Sequence, residues 1–296
     1  MSRIAYVNGR YEPHRTASVH VEDRGYQFAD GVYEVIAVMG GVLLDLEPHL
    51  VRLARSLGEL RIARPMSDAA LTAVMYEVVR QNAVEEGIIY LQVTRGIARR
   101  DHAFPGSGRP SVVMTARSQS LDSSARAAKG VAVVTMPDLR WARRDIKSIG
   151  LLPNAMAKQA AREAGAYEAW LVDAEGRVTE GSSTNAWIVS AEGELVTRHL
   201  DHGILSGVTR LGLVEMARKA GLTVVQRPFT PAEALAGREA FLTSTTSFVL
   251  PVVSIDGKPV GGGVPGPVAM QLRQVFLAHA SEQVQHSALV KRAGRS

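Results

Sequence analysis

The chain has 296 residues, of which 46% are hydrophobic and 21% charged, and it contains no cysteine. This length allows one large or two medium-sized domains with substantial cores. The absence of cysteine excludes disulfides, thiolate zinc sites and cysteine nucleophiles. No apolar run approaches the ~20 residues of a membrane span, and the N-terminus lacks the apolar segment of a secretory signal. We therefore expect a cytoplasmic globular protein.

The formal net charge is +5, and the excess of positive charge is spread along the chain. Most basic residues are arginine, and only six are lysine. No Lys/Arg block with interleaved aromatic residues occurs, and aromatic residues make up only 5% of the chain. A diffuse basic surface favours small anionic substrates, and nucleic-acid binding is a minor alternative.

The first part of the chain has alternating strand and helix patterns. A hairpin is predicted around Asn8-Gly9 and a second around Gly40-Gly41. An extended segment is predicted at residues 17–21, and apolar residues in helical register predict a helix from Glu47. A further helix is predicted from a cap at Ser67-Asp68 to about Glu86. Buried strands are then predicted at residues 88–93 and 111–116.

The segment 95–109 between the last two strands is long, polar and rich in Arg, Gly and Pro. A loop of this length inside a compact domain is more often functional than a simple connection. The low hydrophobicity of residues 118–129 predicts an interdomain linker. We expect a small N-terminal α/β domain at 1–117, a large C-terminal α/β domain at 130–288 and a tail at 289–296.

The second part mixes strands and helices without the βαβ rhythm or the Gly-rich turn of a dinucleotide-binding fold. Helices are predicted at residues 154–166, 206–220 and 266–285. Strands are predicted at residues 130–136, 168–173, 177–189, 194–197, 222–226, 240–243 and 248–254. The pattern predicts a mixed α/β (α+β) protein.

Two residues in this part suggest carbonyl-cofactor chemistry. Lys147 follows a predicted strand and the turn-like Pro137-Asp138, and Glu180 ends another strand. When strand ends present both groups, the amine can react with a carbonyl cofactor. The carboxylate can keep the ring nitrogen of that cofactor protonated. Most lysine and glutamate residues are solvated surface charges, so this pair alone is a weak signal.

Three further features could together hold a phosphate. Arg52 lies on a predicted helix, the segment 206–210 (SGVTR) opens another helix, and the hydroxyl-rich segment 243–247 (TSTTS) follows a strand. A helix start offers free backbone N–H groups to an anion. Each feature alone also fits a surface charge, a helix cap or a solvated turn.

Taken together, these motifs resemble the fold-type IV pyridoxal-phosphate enzymes, which include branched-chain and D-amino-acid aminotransferases and aminodeoxychorismate lyase. The resemblance covers the chain from Tyr6 to about Val252. Its most diagnostic pieces are the segments 180–186 (EGSSTNA) and 205–210 (LSGVTR). Trp187 departs from the pattern, since the family usually has Phe or Tyr there. The resemblance implies two domains with pyridoxal 5'-phosphate in the cleft between them.

The resemblance also implies roles for individual residues. Lys147 would form the Schiff base with the cofactor and move the substrate proton, and Glu180 would pair with the pyridine nitrogen. The phosphate would be held by Arg52, Val208, Thr209 and Thr245.

Tyr33, Arg100 and His102 resemble the substrate-carboxylate trap of D-amino-acid transaminases, in which the Arg-x-His loop comes from the partner subunit. The neighbouring Arg99 is an alternative carboxylate ligand, and Thr246 would complete the substrate pocket. An Arg-x-His pair by itself fits a polar surface loop equally well. A guanidinium gives the carboxylate a charge-assisted, bidentate grip that fixes which face of the substrate is presented. Because the Arg-x-His loop would come from the partner subunit, the resemblance implies an obligate homodimer.

We therefore expect a transaminase that transfers the amine of a D-amino acid such as D-alanine to a 2-oxo acid such as 2-oxoglutarate or pyruvate, in ping-pong half-reactions. The alternatives are a branched-chain L-amino-acid transaminase, an (R)-amine transaminase, aminodeoxychorismate lyase and a non-enzymatic basic binding module. The histidines other than His102 are expected to have no role in the chemistry, with His49 on a helix surface and His199 and His202 in a connecting turn. No histidine and carboxylate cluster has metal-ligand spacing, so no metal is expected.

Overall fold

The computed structural model describes residues 3–121 and 124–293, with side chains described up to Leu289. The chain forms two compact units. The first comprises the chain up to Leu121, the segment Ile146–Gly150 and the chain from Gln283 onward. The second comprises Asp122–Asp145 and Leu151–Glu282. No helix in the described part of the chain combines the length and hydrophobicity needed to cross a bilayer.

The first unit is built on one antiparallel sheet. Its strands are β1 (Ile4–Val7), β2 (Arg10–Pro13), β3 (Gly31–Met39), β4 (Val42–Leu43), β5 (Glu86–Thr94) and β6 (Ser111–Ser118). They lie in the order β2-β1-β6-β5-β3-β4. Its helices are α1 (Arg24–Phe28), α2 (Leu46–Glu59) and α3 (Asp68–Gln81). α2 packs against β3 and α3 against β6, and the core forms between the sheet and these helices.

The second unit is built on a mixed sheet. Its strands are β7 (Val131–Pro137), β8 (Glu168–Val172), β9 (Val178–Gly181), β10 (Asn185–Val189), β11 (Leu195–Thr197), β12 (Val224–Gln226), β13 (Glu239–Ser244), β14 (Phe248–Ile255) and β15 (Lys258–Pro259). The order is β12-β11-β10-β13-β14-β7-β8-β9, and β15 pairs with β14. β7 pairs in parallel with both β14 and β8, and β11 pairs in parallel with β12.

The helices of this part are α4 (Ser124–Lys129), α5 (Leu152–Glu163), α6 (Val208–Lys219), α7 (Pro231–Ala236) and α8 (Pro267–Ala293). α5 packs against β7 and β8, and α6 packs against β12 and β13. The start of α8 is capped by Glu239, whose carboxylate accepts hydrogen bonds from the backbone N–H groups of Val268 and Ala269 at 2.9 and 2.8 Å. Apolar residues of the sheet contribute to three core clusters in the described part of this unit.

Most predicted elements are present, with different ends. The hairpins at Asn8-Gly9 and Gly40-Gly41 are confirmed. The segment 17–21, predicted to be extended, forms no strand, and its alternating Val19 and Val21 side chains are exposed. The helix predicted to reach about Glu86 ends at Gln81, because β5 begins at Glu86.

The domain division expected from the sequence differs from the two units in three places. Residues 118–129 were expected to be linker, but Ser118 ends β6 and Ser124–Lys129 form α4; residues 122–123 lie outside the described residues. The segment Ile146–Gly150 groups with the first unit. α8 continues to Ala293, through most of the expected tail, and 294–296 lie outside the described residues.

Candidate active site

Lys147 is held in the first unit by backbone hydrogen bonds to β3 and α2. Its carbonyl accepts from the N–H of Tyr33 at 3.0 Å, and its own N–H donates to the Ser56 hydroxyl at 3.4 Å. Ser148 forms an isolated β-bridge with Val32. These contacts place the Lys147 Nζ 4.1 Å from the centroid of the Tyr33 ring. The amine makes no hydrogen bond or ion pair with any described residue, so it is available to react.

Tyr33 is itself positioned by a second tyrosine. Its ring stacks on Tyr90 with centroids 5.6 Å apart and an interplanar angle of 29°. The Tyr90 hydroxyl donates to the Gln92 side chain at 2.7 Å, and burial raises the pKa of Tyr90 to about 12. Tyr90 therefore remains a neutral, hydrogen-bonded platform beneath Tyr33 at neutral pH.

Arg52 is part of a buried charge cluster with Glu34 and His49. Its Nε and Nη2 donate to the two Glu34 carboxylate oxygens at 2.8 and 2.7 Å, and the His49 Nδ1 lies 2.8 Å from Glu34. Burial alone would raise the pKa of Glu34, but the charge and hydrogen bonds of Arg52, with those of His49, lower it to about 2. This bidentate pair fixes the guanidinium plane.

His49 is buried, so the prediction of a helix-surface histidine was wrong. Burial lowers its pKa, with the positive charges of Arg52 and Lys147 acting in the same direction. Glu34 was missed by sequence reasoning, although a signal was present. It alternates with Val32 and Ile36 along β3, and this period of two places all three on one buried face.

Arg100 and His102 lie in the loop 95–109 of the first unit, and both are exposed. The Arg100 guanidinium carbon lies 4.8 Å from the centroid of the Phe28 ring, and the His102 ring centroid lies 5.5 Å from it. Among the described residues, neither side chain forms a hydrogen bond, an ion pair or a ring contact with Tyr33. The structure thus brings Arg100 and His102 together at Phe28, without a direct interaction of either with Tyr33.

Glu180 lies at the centre of a buried polar cluster in the second unit. Its carboxylate accepts hydrogen bonds from Arg140, from the Asn185 Nδ2 at 2.9 Å and from the backbone N–H of Leu205 at 3.2 Å. Burial raises the pKa of Glu180, and the charge of Arg140 opposes this shift. A nearby cationic group therefore favours the ionised form of this buried carboxylate.

Arg140 connects Glu180 to a second carboxylate. It donates to Asp138 at 2.8 Å as well as to Glu180, and the Thr179 hydroxyl donates to Asp138 at 2.7 Å. Arg140 was missed by the sequence analysis, which used Pro137-Asp138 only as a turn signal. In the sequence, an arginine within such a turn is typical of a solvated charge. Only the structure shows that Arg140 lies beside β9.

The start of α6 forms an open anion cradle in the same unit. Its N-cap is Gly207, which has no side chain to cap the first N–H groups, and Val208 and Thr209 form the first turn. A Cβ at Gly207 would lie 1.9 Å from the Asn185 Oδ1, so only glycine permits this approach. The Thr209 hydroxyl makes no hydrogen bond to a described residue.

The second hydroxyl segment lies between β13 and β14. Thr246 and Ser244 approach each other, with their hydroxyl oxygens 3.4 Å apart, while the Thr245 hydroxyl makes no hydrogen bond to a described residue. Trp187 supports the strand leading to this turn, because its Nε1 donates to the Thr243 hydroxyl at 3.0 Å. The two segments fit a phosphate dianion in chemical type.

No group of three or more His, Cys, Asp or Glu residues in the described part of the chain could hold a metal ion. The first unit thus offers an unpaired amine above a tyrosine ring and an oriented guanidinium. The second offers a buried carboxylate and an anion cradle. Each unit therefore carries donors of a type that a phosphorylated, nitrogen-containing aromatic cofactor with a reactive carbonyl requires.

Comparison of the chain with known proteins finds aminotransferases. Residues 31–255 match the family model of class IV aminotransferases. The chain is 41% identical to the D-alanine aminotransferase of Bacillus licheniformis over 267 residues, covering 90% of this chain and 93% of that protein. It is 38% identical to the Listeria innocua D-alanine aminotransferase, covering 92% and 94%.

Solved structures agree on the fold. A T.th. branched-chain amino acid aminotransferase with pyridoxamine 5'-phosphate matches with a TM-score of 0.86 and 28% identity, covering 95% of each chain. The Escherichia coli branched-chain enzyme matches with a TM-score of 0.84 and 23% identity over 94% of each chain, which supports the fold alone. The fold-type IV architecture expected from the sequence is confirmed. The chain belongs to the class IV aminotransferase family.

Proposed function

We propose that this enzyme transfers the amine of a D-amino acid such as D-alanine to a 2-oxo acid such as 2-oxoglutarate or pyruvate. The observation that carries the proposal is the position of the Lys147 amine 4.1 Å above the Tyr33 ring. It supports the proposal because the expected proton-transfer group then lies beside an expected ligand of the substrate carboxylate. The names of the relatives, which are D-alanine aminotransferases at up to 41% identity, support the D-configuration.

The residues present fit pyridoxal 5'-phosphate. When bound, this cofactor accepts the amine and delocalises the electron pair left at the substrate Cα. Lys147 would hold its carbonyl carbon, and Glu180 would keep its ring nitrogen protonated. The phosphate would be bound by Arg52, by the backbone of Val208 and Thr209, and by the Thr209 and Thr245 hydroxyls. This assignment is supported by the open helix start at Gly207 and by the Thr209 and Thr245 hydroxyls, which make no hydrogen bond to a described residue.

The chain's own residues then control the proton and the substrate. The Lys147 Nζ would take the proton from the substrate Cα and deliver it to the carbonyl carbon of the cofactor, and in the second half-reaction it would carry a proton in the reverse direction. Tyr33, Arg100 and His102 would bind the α-carboxylate, and Thr246 would border the substrate pocket. Fixing the carboxylate decides which hydrogen faces Lys147 and hence favours the D-enantiomer. Arg99 is the competing carboxylate ligand.

The proposal includes a homodimer. Within one chain, Arg100 and His102 contact Phe28 while Tyr33 contacts Lys147 and Tyr90. A second copy that contributes its Arg100 and His102 would complete the trap. A fully active monomer would contradict this part of the proposal.

Branched-chain L-amino-acid transamination is the second candidate, because the solved structure that matches with a TM-score of 0.86 and 28% identity is a branched-chain enzyme. An absorption spectrum of the purified protein with pyridoxal phosphate separates the two. The proposed function predicts a visible band that bleaches with D-alanine and returns with 2-oxoglutarate. Bleaching by L-leucine alone would favour the second candidate, and no visible band would refute both.

A further inference from the structure

The short helix α1 and the loop 95–109 are bound to each other within the first unit. The Arg24 Nη1 donates to the carbonyl of Asp101 at 2.6 Å, and Asp101 is the residue between Arg100 and His102. The backbone N–H of Arg24 donates to the carbonyl of Gly96 at 2.9 Å, where the loop begins. The backbone of the predicted trap is thus tied directly to α1.

α1 is itself rigidly held. Asp23 caps it by accepting from the Gly25 N–H at 2.8 Å, and the same carboxylate accepts from the Thr94 hydroxyl at 3.0 Å. A Cβ at Gly25 would lie 2.2 Å from the Thr94 Cγ2. The helix therefore packs against the end of β5 too closely for any residue larger than glycine at this position. The Arg24 Nε also donates to the Asp30 carboxylate at 2.8 Å. The helix therefore offers a fixed reference for the loop.

The aromatic ring at the end of α1 contacts both predicted trap side chains. The guanidinium carbon of Arg100 and that of Arg24 each lie 4.8 Å from the Phe28 centroid, and the His102 ring lies 5.5 Å away at an angle of 52°. Arg24 pairs with Asp30, a carboxylate that it shares with Arg95, whereas Arg100 has no ion pair with any described residue. The ring orients Arg100 but does not neutralise its charge, so a carboxylate can still pair with the guanidinium.

We propose that Phe28 is a positioning residue for substrate binding, which holds Arg100 and His102 in the orientation that receives the α-carboxylate. This inference rests on the proposed function. A long arginine side chain loses much rotamer freedom when it binds a ligand. Restricting it beforehand on an aromatic face removes part of that loss from the binding step. Arg24 assists by fixing the backbone at Asp101.

The test compares Phe28→Leu with Phe28→Tyr in the cofactor-loaded enzyme. Leucine retains apolar volume but removes the ring face, and tyrosine retains the face. Phe28→Leu is expected to raise KM for D-alanine and for 2-oxoglutarate about tenfold, with kcat within about twofold, because the contact acts on carboxylate binding. Phe28→Tyr is expected to leave KM within about twofold of the parent value. Equal KM values in all three proteins would overturn the proposal.

Phe104→Leu is the matched control. Phe104 lies in the same loop and packs over an arginine, Arg95, at 3.7 Å, but that arginine is paired with Asp30 outside the trap. The control is expected to change KM less than about twofold. If it raises KM as much as Phe28→Leu, general loosening of the loop explains the effect and the assigned role of Phe28 is wrong.

A binding measurement separates this inference from the proposed reaction. Propionate, the deaminated analogue of alanine, is titrated against each protein and detected by the change in cofactor absorbance. Its dissociation constant is expected to rise about tenfold in Phe28→Leu, while the affinity for pyridoxal phosphate stays unchanged. Unchanged propionate affinity would overturn the positioning role. If the parent enzyme fails to bleach with D-alanine, the proposed reaction is wrong, and propionate affinity still tests Phe28.

Discussion

Glu34 and Arg52 form a buried, bidentate ion pair, with Nε–Oε1 and Nη2–Oε2 distances of 2.8 and 2.7 Å. Arg52 is one of the proposed phosphate ligands, and Glu34 lies on the buried face of β3 beside Tyr33. The pair therefore fixes the direction of a guanidinium whose position along α2 is set by the helix. Removing the carboxylate leaves a buried cation without this partner.

Glu34→Gln is expected to lower stability by roughly 3–5 kcal/mol, because it breaks a buried ion pair. It should also weaken pyridoxal phosphate binding by at least about tenfold, since Arg52 loses its bidentate anchor. Thermal unfolding and cofactor titration measure the two effects. Glu77→Gln is the control, because Glu77 pairs with Arg80 on the exposed face of α3 and no change is expected. Equal effects of the two substitutions would contradict a special role for Glu34.

The burial of His49 and the pairing of Glu34 with Arg52 predict a pH dependence of stability. Burial lowers the pKa of His49, so below about pH 6.5 the unfolded chain binds a proton that the folded chain resists. Stability is therefore expected to fall as the pH drops below this value. A second loss is expected from about pH 4.5 downward, because the pKa of Glu34 is lowered to about 2 in the folded chain.

His49→Gln tests the first of these losses. The substitution removes the titrating group and is expected to flatten the loss of stability between about pH 6.5 and 5, while the loss at lower pH remains. Unfolding by urea at a series of pH values measures both. An unchanged slope between pH 6.5 and 5 would show that other groups govern this range.

Gly207→Ala is expected to disrupt the anion cradle and the neighbouring Glu180 cluster of the second unit. The new Cβ would meet the Asn185 Oδ1 at 1.9 Å, and Asn185 donates to both Glu180 and the Leu205 carbonyl. We expect cofactor affinity to fall at least about tenfold, because both the helix start and the Glu180 carboxylate shift.

Gly212→Ala in the same helix is the matched control, since its Cβ would meet only the Met216 Cε at 3.9 Å. It is expected to leave cofactor affinity unchanged and to stabilise the helix by about 0.5–1 kcal/mol. Titration with pyridoxal phosphate and thermal unfolding distinguish the two variants. Similar cofactor affinities for both would contradict the close approach at Gly207.

Trp187→Phe is expected to destabilise the second unit by about 1–3 kcal/mol. The indole N–H donates to the buried Thr243 hydroxyl, which would lose its donor, while a phenyl ring retains the stacking on Phe241 at 5.5 Å. Thr243→Val in the Trp187→Phe background should recover part of the loss, because no buried hydroxyl is then left unsatisfied. Urea unfolding of the two single variants and the double variant measures this coupling. Strict additivity would show that the hydrogen bond contributes nothing.

The sequence by itself determined the family, the strand and helix order of most of the chain, and the identity of the residues in the motifs. Hairpins at Asn8-Gly9 and Gly40-Gly41 follow from local backbone preferences, and amphipathic helices follow from the period of their apolar residues. The family resemblance likewise depends on short contiguous motifs such as 180–186 and 205–210. These signals act over a few residues, so no tertiary contact is needed to detect them.

Tertiary structure decided which side chains support those motifs. Glu34 meets Arg52 across 18 positions of the chain, and Arg140 meets Glu180 across 40. Arg24 reaches Asp101 across 77 positions, and Phe28 contacts Arg100 and His102. No local pattern specifies such pairs, because they depend on strand register and on how a loop returns to the sheet. The same reason explains why His49 was wrongly assigned to the surface: a helix's periodicity shows that it has two faces, but only packing against β3 shows where a polar residue is buried.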